Sequence, residues 1–258
     1  MKIALAQMDV RLADPAANQT ALRAMAAQAA AQGCDLLLAP ELWSTGYARA
    51  ARAALASPLD AGSFAWLAGL AAEFHIAVGG SMLEACGTDF YNTFALYDSA
   101  GARVGLYRKV HLFRPMGEHT WLQPGGELSL AQPAWGATGL AVCYDLRFPE
   151  MFRRYALQKA RLILLPAQWP AARAEHWRIL LRARAIENQV FIAGVNRVGA
   201  STGGTFGGAS AVIDPTGAVV VEGGDSPGLL TAEVDLSACD RARAQIPILS
   251  DRRPELYG

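Results

Sequence analysis

Gly139-Leu140-Ala141-Val142-Cys143-Tyr144-Asp145-Leu146-Arg147-Phe148-Pro149-Glu150 decides how the rest of the chain is read. An apolar run reaches a cysteine, and six residues later a proline stands where a helix begins. The stretch therefore reads as strand, short turn and helix. That elbow exposes a nucleophile beside helix-terminal N–H groups, a setting expected to favour thiolate over thiol. Most free thiols are buried packing residues instead, and packing describes Cys34, Cys86 and Cys239 best. Ligand sites of α/β proteins lie at strand ends, so Cys143 marks a candidate site.

Two further apolar strands end on a charge. Leu36-Leu37-Leu38-Ala39-Pro40 stops at Glu41, and Val104-Gly105-Leu106-Tyr107-Arg108 leads into Lys109. A carboxylate at a buried strand end resists ionisation unless a cation or hydrogen-bond donors are near. Alone, Glu41 also fits a helix cap and Lys109 a solvated edge residue.

Around these segments helices and strands are mixed along the whole chain. Strands are expected at Lys2–Met8, Asp35–Pro40, Ile76–Leu83, Tyr91–Tyr97, Arg103–Val110, Thr138–Val142, Leu162–Ala167, Val190–Val198, Ala209–Asp214, Ala218–Val221 and Leu229–Val234. Helices are expected at Pro15–Gln32, Gly62–His75, Pro149–Ala160 and Ala172–Gln189, and residues 111–127 read as a long functional loop. No linker or composition shift breaks the chain. The pattern predicts one α/β domain over residues 1–258 with a tail from about residue 237, and its two similar halves suggest a core of two sheets.

The chain has 258 residues, enough to bury about 70% of its surface without disulfide or metal staples. Hydrophobic residues make up 52%, which excludes disorder as a description of the whole. Lys plus Arg and Asp plus Glu both number 23, so no general nucleic-acid-binding face is expected. The first residues carry no signal-peptide core, and Arg23 and Gln28 interrupt the Ala-rich stretch Ala21–Ala31. No membrane partner is expected, and a reducing, cytoplasmic setting is. No Gly-x-Ser-x-Gly, Walker or His-Glu-x-x-His pattern occurs. Gly203-Gly204-Thr205-Phe206-Gly207-Gly208 lacks the dinucleotide spacing, and no metal or cofactor is expected.

Pro40-Glu41, Lys109 and Cys143 stand 68 and 34 residues apart. With Tyr107-Arg108-Lys109-Val110-His111-Leu112-Phe113, the Cys143–Glu150 run, Arg182-Ala183-Arg184-Ala185-Ile186-Glu187-Asn188-Gln189 and Arg253-Pro254-Glu255-Leu256-Tyr257, their order resembles the carbon–nitrogen hydrolases, the nitrilase superfamily. The likeness runs nearly end to end and is strongest to the omega-amidase branch. It implies a four-layer α-β-β-α sandwich, commonly paired into homodimers through the helices after Cys143 and at 172–189 with the C-terminal tail. It also implies a Glu–Lys–Cys triad and hydrolysis of a small omega-amide of a dicarboxylate, such as 2-oxoglutaramate or succinamate.

Within that resemblance Glu41 is the base, Lys109 and the Tyr144 N–H hold the oxyanion, and Cys143 carries a thioester. Glu118 is the second carboxylate beside the lysine, with Glu127 its competitor. A guanidinium fork suits the remote carboxylate of the substrate, and Arg114, Arg147 and Arg197 are its candidates. Trp121, Tyr144 and Trp169 are candidate walls. The loop Arg114-Pro115-Met116-Gly117-Glu118-His119 departs from the eukaryotic enzymes, which leaves the substrate more open than the reaction. The same triad also suits deaminated glutathione, an N-carbamoyl amine or a nitrile. A non-catalytic dimeric scaffold is the reading from another class.

Overall fold

A computed structural model describes residues 1–201 and 204–257; Thr202, Gly203 and Gly258, and with them part of the Gly203–Gly208 stretch, lie outside the described residues. In the first half, β1 (Lys2–Gln7), β2 (Leu36–Leu38), β3 (Ala77–Cys86), β4 (Asp89–Tyr97) and β5 (Arg103–Arg108) alternate with α1 (Pro15–Ala31), the short α2 (Arg52–Leu55) and α3 (Gly62–Phe74). The second half contains β6 (Leu130–Ala131), β7 (Thr138–Leu140), α4 (Pro149–Leu157), β8 (Leu162–Ala167), α5 (Ala174–Asn188) and β9 (Phe191–Asn196). The hairpin β10 (Val198–Ser201) and β11 (Gly204–Gly207) follows, then β12 (Ala211–Ile213), β13 (Val219–Glu222), β14 (Gly228–Glu233), α6 (Ser237–Gln245) and α7 (Pro254–Tyr257).

Two six-stranded sheets result, ordered β14-β1-β2-β3-β4-β5 and β13-β12-β9-β8-β7-β6. Parallel pairs sit in the middle of each, β1 with β2 and β2 with β3, then β7 with β8 and β8 with β9. Alternation inside β1 shows why its sequence is apolar throughout. Ile3 and Leu5 face the core between the sheets, while Ala4 and Ala6 pack beneath α1 and α3 with Leu22, Ala26, Phe64 and Leu67. A strand covered on both faces needs apolar residues at every position. The second sheet repeats this arrangement under α4 and α5, giving helix, sheet, sheet, helix. Gly194 permits the close seat of α5: a Cβ there would meet Trp177 and Leu181, each at 2.9 Å.

Several expected boundaries moved. α4 ends at Leu157 rather than Ala160, because the chain reverses at Lys159 with φ +67°, a left-handed position without the usual glycine. The helix expected from Ala172 begins as a 3₁₀ turn, Ala171–Arg173, before α5. The β10–β11 hairpin, β6 and α2 escaped the sequence reading, being too short or too rich in glycine to show a period. Cys34 and Cys239 are buried, but Cys86 is exposed at the end of β3, so packing does not describe it.

Candidate active site

β2 ends at Leu38, and the chain stays tied to β3 beyond it. The Ala39 N–H donates to Gly79 O at 2.7 Å and the Trp43 N–H to Ser81 O at 3.1 Å. That holds Glu41 fully buried at the top of the first sheet. β5 stops at Arg108, so Lys109 is the first residue past the strand, where its N–H donates to Asn92 O at 2.9 Å. Its Nζ donates to Glu41 Oε1 at 2.8 Å and to Glu118 Oε1 at 2.9 Å. Glu118 reaches this point from a 3₁₀ turn in the long loop, and its other oxygen accepts the Phe113 N–H at 3.0 Å. Glu127, the competing acid, is exposed and lines a different groove.

Cys143 comes from the facing sheet. The expected elbow is present: β7, then Cys143 at φ +47° opening a 3₁₀ turn, then α4 with Pro149 at its start. A non-glycine residue at positive φ is strained and persists only where its surroundings fix it. Asp145 does so here. It accepts the Val142 N–H at 2.8 Å, the Tyr107 hydroxyl at 2.8 Å and the His111 N–H at 3.2 Å, so one buried carboxylate joins the cysteine elbow to the strand that leads into Lys109. From α5, Arg184 Nε donates to Leu146 O at 3.0 Å.

Cys143 lines one pocket with Tyr47, Glu118 and Gln168, which hydrogen-bond Glu41 or Lys109, so all three strand-end residues meet at one place. Burial opposes the charge on Glu41, but Lys109, Tyr47 and Cys143 outweigh it and hold the carboxyl below the ordinary glutamate range. Burial also opposes the Lys109 ammonium, and Glu118 and Glu41 more than compensate, so it stays charged above the usual lysine range. Burial and the Glu41 charge push the Cys143 thiol well up. The thiolate expected from the elbow alone is therefore corrected. The site holds a carboxylate, an ammonium and a thiol, because the adjacent carboxylate and the loss of water outweigh Lys109.

A narrow pocket of about 20 Å³ opens over the thiol, lined by Tyr47, Phe113, Met116, Glu118, Cys143, Tyr144, Arg147, Gln168, Trp169, Pro170 and Arg173. Tyr144 packs edge-on against Phe113 and Phe148. Trp169 is fixed by its N–H to Asn196 Oδ1 at 2.7 Å and its Nε1 to Arg173 O at 2.8 Å. The Arg147 guanidinium lies 4.8 Å from the Trp169 ring and that of Arg173 5.4 Å from the Phe113 ring. Neither guanidinium is paired with a carboxylate among the described residues. A more open groove lies beyond His111 and Phe148, and it contains no cysteine or lysine.

Three expected pocket residues lie elsewhere. Arg197 is fully buried, its Nη2 donating to Asp9 Oδ1 at 3.1 Å and its Nη1 to Gln168 Oε1 at 3.3 Å, so it braces the pocket wall from behind. Arg114 is exposed on the outer side of the loop that sends Phe113 and Met116 inward. Trp121 packs with Leu42, Leu83 and Leu122, its ring edge-on to Tyr47 at 6.4 Å, one layer behind the lining. Conversely Tyr47, Asn92, Gln168 and Arg173 were not singled out from the sequence. Tyr47 lies six residues after Glu41 in the loop leaving β2, and a tyrosine so close to a strand-end acid was the available signal. Arg173 gave no signal, since it sits in an Ala- and Arg-rich run. Among the described residues no three His, Cys, Asp or Glu side chains are grouped to hold a metal ion, and the cation between the two carboxylates is Lys109. Nor is any helix there long and apolar enough to cross a membrane.

A cysteine at a strained elbow, facing a buried carboxylate–ammonium pair across two sheets, defines a candidate site of the thiol-hydrolase class. The family model for carbon–nitrogen hydrolases matches residues 2–244, and the chain belongs to that family, within the nitrilase superfamily. The 2-oxoglutaramate amidase of Bacillus subtilis (strain 168) is 39% identical over 224 residues, covering 86% of each chain. A CN-hydrolase superfamily protein of Xanthomonas campestris, solved with an arsenic adduct in its active site, superposes with a TM-score of 0.92 at 34% identity over 98% of this chain and 97% of that one. A variant of the amidase from Nesterenkonia sp. AN1, in which acrylamide has added to the active-site cysteine, gives a TM-score of 0.89 at 33% identity over 100% and 98% of the two chains. The four-layer sandwich is thus shared with solved relatives.

Proposed function

We propose that this hydrolase acts on amides through Cys143, Glu41 and Lys109, and that its substrate is a small amide bearing a remote carboxylate, such as succinamate or 2-oxoglutaramate. The observation that carries this reading is the buried Glu41–Lys109–Glu118 cluster beside the pocket that Cys143 lines. Two guanidinium groups without acidic partners among the described residues, Arg147 and Arg173, line the same pocket and suit a carboxylate at its mouth. Trp169, Tyr144 and Phe113 supply apolar walls for the chain between the two ends.

The chemistry follows from the charges. Burial and the Glu41 charge raise the thiol while Lys109 lowers Glu41, so the proton rests on sulfur beside a carboxylate. That arrangement favours proton transfer together with attack. The thiol proton passes to Glu41 as Sγ bonds the amide carbon. The carbonyl π pair moves to oxygen, facing Lys109 Nζ and the Tyr144 N–H. Glu41 then protonates the nitrogen, the C–N bond breaks and ammonia leaves a thioester on Cys143. Water gives its proton to Glu41 and its oxygen to the thioester carbon. The acid leaves, and the thiolate recovers its proton from Glu41. Glu118 and Tyr47 hold Lys109 and Glu41 in place.

The chain is read as one domain working in a reducing, cytoplasmic compartment, where Cys143 stays reduced, and as a homodimer. Exposed Leu157, Ile179, Ile186 and Ile246, on α4, α5 and the tail, support pairing of that face. Ammonia release from succinamate, 2-oxoglutaramate, a carbamoyl amino acid, deaminated glutathione and an aliphatic nitrile tests the reaction. Wild type is expected to favour the dicarboxylate amides and Cys143→Ala to be inert. Turnover of the nitrile without the amides would reject the substrate, and an inert wild type would favour the scaffold reading.

A further inference from the structure

Asn92 breaks a local rule. It sits inside β4, a central strand, where asparagine is disfavoured and β-branched or aromatic residues are usual. Rules broken in the middle of a sheet point to function. Its carboxamide Nδ2 donates to Glu41 Oε1 at 2.8 Å, and its main-chain carbonyl accepts the Lys109 N–H at 2.9 Å. One strand residue thus holds both members of the buried ion pair, which come from β2 and β5. The amide cannot face the other way, because Oδ1 would then meet a carboxylate oxygen. As placed, Oδ1 is buried without a partner among the described residues, a cost the fold accepts to keep the donor on Glu41.

We propose that Asn92 is a positioning residue that saturates Oε1 of Glu41 and leaves Oε2 as the oxygen that exchanges protons with Cys143 and the leaving nitrogen. The inference rests on the reading of Glu41 as the base. A carboxylate oxygen offers two lone pairs. Lys109 Nζ at 2.8 Å and Asn92 Nδ2 at 2.8 Å fill those of Oε1, and the Tyr47 hydroxyl crowds it further at 2.7 Å while also lying 2.7 Å from Glu118 Oε1. Among the described residues Oε2 accepts one hydrogen bond, from the Gln168 N–H at 2.9 Å on the facing sheet, and keeps a lone pair free. Without Asn92 the two oxygens become alike, the carboxylate can turn about its last bond, and the free lone pair no longer has a fixed direction.

Asn92→Leu and Asn92→Asp separate this from packing. Ammonia release from succinamate is followed from pH 5 to 9, with circular dichroism and thermal unfolding of each variant. Asn92→Leu is expected to lower kcat about 10²-fold, the low end of what a well-placed general base contributes, with KM within about threefold of wild type. In Asn92→Asp the introduced carboxyl, while protonated, donates the same hydrogen bond, so activity returns in acid. It falls as that proton leaves and two carboxylates face each other, placing the alkaline limb at least about one pH unit below that of wild type. Folded variants with wild-type kcat and pH profile overturn the proposal. So does an Asn92→Asp profile that runs parallel to that of Asn92→Leu, since packing alone has no pH signature. If Asn92→Leu does not fold, the Asn92→Asp profile decides by itself. A wild type that releases no ammonia sinks the functional reading first, and is told apart because no variant enters that comparison.

Discussion

Replacing Lys109 by methionine removes one charge and little volume from the buried centre of the site. Two carboxylate oxygens lie 2.8 and 2.9 Å from Nζ, and all three side chains are essentially buried. At an effective dielectric of about 20 each contact at that separation is worth about 6 kcal/mol of Coulomb energy. Much of that is spent in desolvating the ammonium, so loss of the cation is expected to destabilise the fold by about 3–5 kcal/mol. The pH dependence identifies the cause. In wild type Glu41 is held below its unfolded value, so its contribution to stability is present above the ordinary carboxylate range and lost only in acid. Without Lys109, burial dominates and the Glu41 pKa rises above its unfolded value. The variant's deficit is then full at pH 8 and shrinks as pH falls and a carboxyl takes up a proton. Urea unfolding followed by tryptophan fluorescence at pH 5 and pH 8 measures it. Equal deficits at the two pH values, or a loss under about 1 kcal/mol at pH 8, would refute the electrostatic account.

Other outcomes follow from the same geometry. With Glu41 lowered and Lys109 raised, kcat/KM should stay flat from about pH 5 to 8, its acid limb falling below the ordinary glutamate range; a limb near neutral pH would contradict the assignment. Arg173→Met and Arg147→Met should each raise KM for succinamate about 10- to 100-fold, the worth of a hydrogen bond to a charged group, and leave an uncharged amide unaffected. Arg197→Met should lower the melting temperature, since Gln168 Oε1 and Asp9 lose their cation, while KM for succinamate holds within about twofold; a large KM effect would return Arg197 to the pocket.

Glu41, Lys109 and Cys143 were candidates because each stands where an apolar run ends, and the family resemblance joined them into one proposed triad; the structure places all three around one pocket. Glu118 came from the family resemblance, which implies a second carboxylate beside the lysine. The alternation of helices with apolar strands likewise foretold two sheets covered by helices. Only the tertiary structure decided among the arginines. Arg147, Arg173 and Arg197 look alike in sequence, yet Arg197 turns inward to Asp9 while Arg173, in a run with no signal, reaches the pocket. The protonation state of the thiol also belongs to the tertiary level. An elbow read alone favours thiolate, but burial and a carboxylate brought from the other sheet reverse it. Local pattern fixes which residues are buried at strand ends; which charges then face each other depends on how the two sheets stack, and Coulomb and desolvation energies respond to that distance rather than to position along the chain.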